Sequence, residues 1–524
     1  MLTEDQTPVI EFLGNPAAHG AADVERIDTH TSIVFLAGDR AYKLKRAVLF
    51  DYVDFSTMER RRAFCEAEVR LNRRSAPMLY LGVSAVTRET DGRLALNGAG
   101  APIEWVVEMA RFPQEALFDR LAATGKLDLD LMPPLGIAIA RLHASAGRRA
   151  DHGGARGMAW VIDGNDAGFA EHGADCCDPA ARARVTDGAS AELARHAALL
   201  DARRERGAVR ECHGDLHLRN IVLINGQPTL FDGVEFNDEI SCIDVLYDLA
   251  FLLMDLRRRG LPRHASAVWN RYLAETADLD GLPLLPLFLS CRAAVRAKTS
   301  ATAARLQDDA VRRDDLRALA REYLAMAEAL LHPPPACLVA VGGLSGSGKS
   351  TLAYDLAPAV GAVPGALVIR SDEIRKQLCG VPPFERLGPE GYAPEVTARV
   401  YALLAARARQ ALEAGVSVIA DAVHARAPDR LAIEAVAMAG SVPFVGLWLD
   451  ASESTLVTRV GSRVRNPSDA DADVICRQRT GDTGAIGWER LDASLAPDGV
   501  LRQALTAVRR LAPQSAPAPS PDAG

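Results

Sequence analysis

Apolar and polar positions in the first part of the chain predict a small β-rich lobe followed by a larger helical one. The runs SIVFLAG and RAYKLK are joined by a Gly-Asp turn, which predicts a β-hairpin, and PIEWVVEM predicts a further strand. Between them, STMERRRAFCEAEVRLNRR follows a charge-rich helical pattern that opens on Ser56 and Glu59, the spacing of a capping box. From about residue 115 the pattern is mainly helical. This order of elements predicts a two-lobed α+β unit.

The later part of the chain alternates strands with helices. The runs CLVAVGG, ALVIRSD, VSVIAD and PFVGLWLD are nearly continuously apolar, and each precedes a helical segment. Strands of this kind are typical of a parallel sheet that is covered on both faces. The pattern therefore predicts an α/β domain with a doubly wound parallel sheet.

A run of prolines separates the two patterns. The segment HPPPA, residues 332–336, cannot lie inside a helix or a central strand, because proline lacks the N–H group that both require. We therefore predict a first domain over 1–331, a linker over 332–336 and a second domain over 337–510. Residues 511–524 are rich in proline, alanine and serine, and we predict a disordered tail there.

Composition is that of a globular protein and limits the possible partners. The 524 residues are 48% hydrophobic and 24% charged, and the formal net charge of −8 argues against wholesale binding of nucleic acid. The nine cysteines include no C-x-x-C pair, the N-terminus lacks the pattern of a secretory signal, and no uncharged apolar run reaches 18 residues. We expect a cytoplasmic protein without a membrane span.

A phosphate-binding motif follows the first strand of the second domain. Residues 343–350, GLSGSGKS, match G-x-x-x-x-G-K-[ST] between an apolar strand and a helix. Glycines let successive backbone N–H groups curl around phosphates at the positive end of the helix, where a lysine reaches the β- and γ-phosphates and a serine binds Mg²⁺. The predicted nucleotide ligands are Gly343, Ser345, Gly346, Ser347, Gly348, Lys349, Ser350 and Thr351.

Two aspartates follow later strands, at the sheet edge where α/β domains bind ligands. Asp372 follows ALVIRS and Asp421 follows VSVIA; one should activate an acceptor hydroxyl and the other should support Mg²⁺, although either could instead cap a helix. The run Ser371-Asp372-Glu373-Ile374-Arg375 resembles small P-loop kinases of the gluconate kinase, polynucleotide 5′-hydroxyl kinase and zeta-toxin group. The resemblance implies that Asp372 is the catalytic base and Asp421 the metal-supporting partner.

Clustered arginines follow the last apolar strand of the second domain. Arg459 and Arg463 lie four residues apart in RVGSRVRNPSDADADV and so share a helix face. We predict a lid that closes over ATP and stabilises negative charge in the transition state; the alternative is a solvated helix face.

The first domain contains a catalytic-loop motif. Residues 213–220, HGDLHLRN, match H-x-D-L-x-x-x-N, in which an aspartate lies beside the acceptor hydroxyl and an asparagine binds Mg²⁺. These positions are Asp215 and Asn220, and the strand-like VLINGQPTLFD then ends on Asp232, a second metal ligand. The H-G-D form and the later Asp248-Leu249-Ala250 resemble the aminoglycoside/choline phosphotransferase family. The resemblance implies that Asp248 braces the catalytic loop, with Asp244 as a second candidate brace, and that His213 packs to hold the backbone.

The N-terminal hairpin supplies a candidate phosphate lysine. Lys43 has the A-x-K spacing of the strand lysine that binds the α- and β-phosphates, and Lys45 is the alternative on the same strand face. Glu68 is the predicted ion-pair partner, and Glu66 is the next candidate. No glycine-rich G-x-G-x-x-G loop precedes the lysine.

Together the motifs cover nearly the whole chain. Residues from about 25 to 330 resemble a protein-kinase-like, aminoglycoside phosphotransferase-type kinase, and residues from about 336 to 510 resemble a P-loop kinase. This tandem order is similar to that of bifunctional aminoglycoside phosphotransferase/ATP-binding proteins. The resemblance implies ATP and Mg²⁺ as cofactors and small hydroxylated acceptors, sugar-like or aminoglycoside-like.

Two alternatives stay open. One unit could be an ATP-binding regulatory module for the other, since the first lacks the glycine-rich loop. The second unit could be a polynucleotide 5′-hydroxyl kinase, although the acidic balance of the chain disfavours a phosphate-tracking surface. Residues 150–210 are predicted to form an acceptor-facing insertion.

Overall fold

The computed structural model describes residues 3–50, 52–382, 385–461, 478 and 483–510. The chain forms two compact units. The first comprises Met1–Gly260 with Leu284–Leu331, and the second comprises Leu261–Pro283 with His332–Gly524. Arg463 and the predicted tail over 511–524 lie outside the described residues. Within the described ranges, no helix combines the length and apolar character needed to cross a bilayer.

The N-terminal lobe of the first unit is built on a six-stranded antiparallel sheet in the order β1-β2-β3-β8-β6-β7. The predicted hairpin is confirmed as β2 and β3, whose register pairs Val34 with Lys43. The elements of this lobe are α1 Thr7–Gly14, β1 Val24–Asp28, β2 Ser32–Ala37, β3 Arg40–Lys45, β4 Leu49–Phe50, β5 Val53–Asp54, α2 Met58–Asn72, β6 Tyr80–Arg88, β7 Leu94–Leu96 and β8 Ala101–Ala110.

Helix α2 packs across this sheet through buried Cys65 and Val69, which join Tyr80 and Val107 in one apolar cluster. Its predicted capping box is wrong by one residue. Thr57 is the N-cap, with its hydroxyl accepting from Arg60 N, whereas the Ser56 hydroxyl donates to the Asp54 carboxylate at 2.6 Å. Thr57 follows a serine already bound to that carboxylate, so the adjacent hydroxyl caps the helix.

The second lobe of the first unit is mainly helical, as predicted. Its central helix, α8, is buried at every position from Val245 to Leu256. VLINGQPTLFD, which reads as one strand, is a hairpin that turns at Asn225 and Gly226, both with positive φ. The elements are α3 Phe118–Ala123, α4 Met132–Ser145, α5 Gly154–His172, α6 Pro179–Glu205, β9 Val209–Glu211, β10 Ile221–Ile224, β11 Gln227–Leu230, α7 Asp238–Ser241, β12 Cys242–Asp244, α8 Val245–Arg258, α10 Leu285–Arg305 and α11 Ala310–Leu330.

The second unit is the predicted doubly wound domain. Its five strands are all parallel and lie in the order β14-β15-β13-β16-β17. The four apolar strands are confirmed, and the short ERLD adds a fifth that its mixed pattern does not indicate. The elements are α9 Pro262–Thr276, β13 Leu338–Gly343, α12 Lys349–Leu356, β14 Leu367–Arg370, α13 Ser371–Leu378, α14 Pro394–Glu413, β15 Val418–Asp421, α15 Ala427–Ala439, β16 Phe444–Asp450, α16 Glu453–Gly461, β17 Glu489–Asp492 and α17 Pro497–Arg509.

Helix α9 belongs to this unit although it precedes the proline run. Asn270, which is 3% exposed, accepts from Val368 N at 2.7 Å and donates to Ala366 O at 3.2 Å. Since β14 is an edge strand, these backbone groups lie on the side where no further strand pairs. The carboxamide of Asn270 therefore supplies the hydrogen bonds that a neighbouring strand would make. The sequence-based boundary at 332–336 places this segment in the first domain, because contacts between residues 98 positions apart leave no local pattern.

We expect Asn270→Ala to destabilise the second unit by about 1–3 kcal/mol, because it leaves a buried N–H and a buried C=O without partners. Hydrogen exchange measured by mass spectrometry should show faster exchange in peptides that cover β14. Gln377→Ala is the matched control: it removes a single hydrogen bond to Ala274 O, made from an exposed position. Equal effects of the two substitutions would contradict this account of Asn270.

Candidate active sites

The catalytic loop of the first unit is held by the buried helix α8. Asp248 Oδ2 accepts from His213 N at 3.1 Å, and Asp248 Oδ1 accepts from Gly214 N at 2.9 Å. About two turns later on the same helix, Asp255 Oδ2 accepts from Leu218 N at 3.1 Å. The bracing role implied for Asp248 is therefore confirmed, and Asp255 is a second brace that no motif indicated.

The other two predictions for this loop have different outcomes. His213 packs as implied: its Nε2 lies 2.9 Å from Phe231 O, and burial lowers its pKa, which favours the neutral ring. Asp244 is not a loop brace. Its carboxylate accepts from Leu246 N, capping α8, and pairs with Arg203 at 2.7 Å.

Asp215 and Asn220 lie in direct contact. Asn220 Nδ2 donates to Asp215 Oδ2 at 3.0 Å and to Asp215 O at 2.9 Å, and His217 Nε2 lies 3.3 Å from Asp215 Oδ2. Burial alone would raise the pKa of Asp215, but His217 and Arg296 outweigh it and lower the pKa below its usual range. The group is thus an ionised carboxylate at neutral pH, the form that can accept a proton from a hydroxyl.

A cluster of buried charges lies beside this loop. Glu68, 0% exposed, accepts from Lys43 Nζ at 2.8 Å and from Lys45 Nζ at 2.7 Å. Lys43 also binds Asp232, and Lys45 also binds Glu235. Both candidate lysines therefore share one carboxylate, because residues two apart on β3 face the same side of the sheet.

Glu66, the other candidate partner, pairs instead with Arg62 on the exposed face of α2. Burial alone would lower the pKa of Lys43, but Asp232 and Glu68 raise it well above its usual value. Burial would likewise raise the pKa of Glu68, and the two lysines lower it. The lysines and Glu68 are accordingly held in their charged forms.

Asp232 joins this cluster to the catalytic loop. It follows Phe231, whose N–H donates to Asn220 O at 3.0 Å. Its φ of 62° is strained for a residue other than glycine, and such strain is concentrated at functional sites. A carboxylate and an amide side chain offer the oxygen ligands that Mg²⁺ prefers, so Asp232 and Asn220 fit a metal role by their chemistry.

In the second unit, the predicted phosphate loop lies between β13 and α12. Gly346 and Gly348 have φ near 90°, a conformation that glycine adopts without strain. At Gly346 a Cβ atom would lie 2.7 Å from Leu456 O, so a side chain there would collide with backbone. Helix α12 begins at Lys349, which places its N-terminus, the end that attracts anions, against the loop.

A cleft of about 260 Å³ opens at this loop. It brings together predicted residues from four places in the chain, although Gly343 and Ser347 are buried and are not part of its wall. Its lining residues are Ser345, Gly346, Gly348, Lys349, Ser350, Thr351, Ser371, Asp372, Asp421, Val423 and Arg459.

Hydrogen bonds fix several of these groups. Ser350 Oγ donates to Asp421 Oδ2 at 2.6 Å, and Lys349 Nζ donates to Leu344 O at 3.0 Å. Ser345 N donates to Gln478 Oε1 at 2.9 Å, so one loop N–H already faces an oxygen acceptor, as it would a phosphate oxygen. The hydroxyl and carboxylate of Ser350 and Asp421 are oxygen donors suited to Mg²⁺.

The predicted aspartate and arginine residues of this unit differ in their position relative to the cleft. The N-cap of α13 is Arg370, so Asp372 lies inside the first turn and is not the cap. Arg459 lines the cleft and donates to Ala493 O at 2.7 Å. Arg375, the last residue of the run that resembles P-loop kinases, is 8% exposed and donates to Gly391 O and Thr397 Oγ1, so it supports the segment over residues 391–397.

Sequence reasoning missed Arg370. Its guanidinium donates to Asp421 Oδ2 at 3.2 Å, to Ser350 Oγ at 3.0 Å and to Glu373 Oε1 at 3.2 Å. The available signal was a charged residue at the carboxyl end of an apolar strand, next to the predicted base.

Comparison with known proteins shows the family. A model of the phosphotransferase enzyme family matches residues 102–285, and a model of an AAA domain matches residues 338–481. An uncharacterized protein of Mycobacterium tuberculosis is 30% identical over 503 residues, which span 90% of this chain and 94% of the relative. The chain belongs to the family of bifunctional aminoglycoside phosphotransferase/ATP-binding proteins.

Two solved structures resemble parts of this chain. A sugar kinase from Janibacter sp. HTCC2649 is 22% identical, with a TM-score of 0.25 and a match over 34% of this chain and 97% of that one. A choline/ethanolamine kinase family protein from Mesorhizobium loti is 16% identical, with a TM-score of 0.40 and a match over 64% and 96%. The two family matches make the protein a phosphotransferase enzyme with two kinase-like, nucleotide-using domains.

We expect Asp248→Asn to loosen the catalytic loop of the first unit. One of the two carboxylate oxygens becomes an NH₂ group that cannot accept from a backbone N–H, a loss of about 1.5–3 kcal/mol for a hydrogen bond to a charged group. Hydrogen exchange in peptides covering residues 213–220 should accelerate by about tenfold or more. Asp255→Asn should act on Leu218, whereas Asp244→Asn, which removes a charge outside the loop and keeps an oxygen that can cap α8, should leave the exchange of these residues near the wild-type rate.

Proposed function

We propose that each unit binds ATP with Mg²⁺ and transfers the γ-phosphate to a hydroxyl group of a small molecule. The observation that carries the proposal is a repeated constellation: a lysine, oxygen-donor metal ligands and a separate carboxylate lie together in both units. In the first unit these are Lys43, Asn220 with Asp232, and Asp215. In the second they are Lys349, Ser350 with Asp421, and Asp372.

In the first unit, Glu68 holds Lys43 charged and in place for the α- and β-phosphates. Asn220 and Asp232 would hold Mg²⁺, which neutralises phosphate charge when bound. Asp215 is the catalytic base: as the acceptor oxygen forms its bond to the γ-phosphorus, the bond to the bridging oxygen of ADP breaks and the hydroxyl proton passes to the carboxylate. The lowered pKa of Asp215 supports this role, since the base is ionised before the acceptor arrives.

In the second unit, the loop N–H groups and Lys349 bind the phosphates of ATP, with Thr351 at the start of the helix. Ser350 and Asp421 would hold Mg²⁺, and Asp372 takes the proton of the acceptor hydroxyl. Arg459 lines the same cleft and stabilises charge that develops on the transferred group. Arg463, the second arginine assigned to this task, lies outside the described residues.

The acceptors are proposed to be sugar-like or aminoglycoside-like molecules, and the site of action is the cytoplasm, where ATP is available. A cleft of about 260 Å³ suits the phosphates of a nucleotide with part of a small acceptor and supports a small-molecule substrate for the second unit.

Nucleotide stoichiometry tests the two-site proposal. Calorimetric titration of the full chain with a non-hydrolysable ATP analogue and Mg²⁺ should give two sites per chain. Lys43→Met and Lys349→Met should each remove one site, and the double variant should bind none, because each removes a phosphate point charge. Lys126→Met is the control, since that lysine is exposed. A wild-type chain that binds one nucleotide contradicts the two-site proposal.

Turnover of an acceptor panel tests the bases. We expect Asp215→Asn and Asp372→Asn to lower kcat for separate acceptors by about 10²–10⁴-fold, the usual contribution of a general base, while nucleotide binding persists. ADP release should be measured with sugars, amino alcohols, aminoglycosides and a hydroxyl-ended oligonucleotide. Asp498→Asn, at an exposed helix start, should have no effect. If neither base substitution lowers any turnover, the assignment of both residues fails.

A further inference from the structure

A buried arginine contacts both side chains proposed to hold Mg²⁺ in the second unit. Arg370 is the last residue of β14, and the parallel register places it opposite Asp421 at the end of β15. Its side chain is 6% exposed. Nη2 donates to Ser350 Oγ at 3.0 Å and Nε donates to Asp421 Oδ2 at 3.2 Å, so one planar group spans both partners.

The third edge of the same guanidinium is also occupied. Nη1 donates to Glu373 Oε1 at 3.2 Å, and the ring centroid of Tyr354 lies 5.8 Å away. Arg370 therefore sets one permanent positive charge against two carboxylates, Asp421 and Glu373, that would otherwise form an acidic cluster. An arginine keeps this charge at any physiological pH.

These contacts limit the ability of Ser350 and Asp421 to bind a metal ion without nucleotide. Ser350 Oγ directs its proton to Asp421 and one lone pair to Arg370, which leaves one lone pair for a metal ion. A divalent cation that entered alone would meet a fixed positive charge next to its carboxylate ligand, in a site where burial weakens screening. Nucleotide phosphates would bring several negative charges, which outweigh the positive charge of Arg370.

We propose that Arg370 is a positioning residue that acts as a built-in cation. It holds Ser350 and Asp421 in one arrangement and prevents a divalent cation from binding there until a nucleotide supplies phosphate oxygens. Metal then enters the second unit only as the nucleotide complex. The inference rests on the proposed function of this unit, since it takes Ser350 and Asp421 as the metal ligands.

Binding of Mn²⁺ without nucleotide tests the inference in the full-length protein. Free Mn²⁺ is measured by electron paramagnetic resonance while the metal is titrated. We expect Arg370→Met to gain one Mn²⁺ site per chain with affinity about tenfold or more above the wild type, because a nearby opposing charge is removed. Arg370→Met combined with Asp421→Asn should lose that gain. A purely structural role for Arg370 predicts no gain of cation binding.

Matched variants separate charge from packing. Arg375→Met removes another buried arginine of the same region, one that contacts Gly391 and Thr397, and should gain no Mn²⁺ site. Arg370→Lys keeps the charge and should stay within about threefold of the wild type, whereas Arg370→Gln should gain binding. Thermal unfolding of each variant shows whether it is folded, and the Gln variant replaces the Met variant if the latter unfolds.

Three results would overturn the inference. The first is an unchanged Mn²⁺ affinity in folded Arg370→Met or Arg370→Gln, and the second is a gain that survives Asp421→Asn. The third needs no Arg370 variant: Mn²⁺ that binds the wild type without nucleotide and is lost in Asp421→Asn shows that Arg370 does not exclude the metal. Nucleotide titration in parallel keeps the proposals apart, because a Lys349-dependent Mg²⁺·ATP site in the wild type supports the proposed function whichever way Mn²⁺ behaves.

Discussion

Both candidate sites depend on carboxylates that are buried together with fixed partners. A lone carboxylate moved out of water is costly enough that it would take up a proton, and it stays ionised only if N–H groups or cations surround it. Asp248 and Glu68 are 0% exposed, and Asp421 is 4% exposed. Asp248 binds two backbone N–H groups, Glu68 binds two lysines, and Asp421 binds Ser350 and Arg370. Asp248 thereby fixes the position of the catalytic loop, Glu68 that of Lys43, and Asp421 that of the Ser350 hydroxyl.

Helices α8 and α9 carry the buried polar side chains that fix backbone segments near the candidate sites. Helix α8 carries Asp248 and Asp255 to the catalytic loop of the first unit, and α9 begins four residues after α8 ends. Asn270 on α9 completes the edge of β14, the strand that ends on Arg370 and precedes Asp372. The phosphotransferase family match runs to residue 285 and includes α9, which nevertheless packs in the second unit. A fragment that starts at the proline run therefore lacks a component of the fold it is meant to represent.

The features that could be predicted are those with a local or fixed spacing. Residues 343–350 place a loop between a strand and a helix by their order alone, and the apolar runs locate β13 to β16. The features that were missed depend on partners distant in sequence. Neither Asn270 nor Arg370 belongs to a motif, and their roles follow from which strand lies beside which. The turn at Asn225 and Gly226 is a different case, since its N-G signal was present in the sequence.

The arrangement of acceptor oxygens explains why lysine is found at some buried positions of the sites and arginine at another. The chain has 60 lysines and arginines, of which only six are lysines, and Lys43, Lys45 and Lys349 lie in the two sites. Lys43 points its compact ammonium at Glu68 and Asp232, and Lys45 points its ammonium at Glu68 and Glu235. A planar guanidinium at either position would leave donors without acceptors. The surroundings of Arg370 are the opposite, because three acceptors are spread around one plane. An ammonium at this position would be too small to reach all three. Although arginine is much the commoner residue here, lysine occurs at positions 43 and 45, where the surrounding carboxylates suit a point charge.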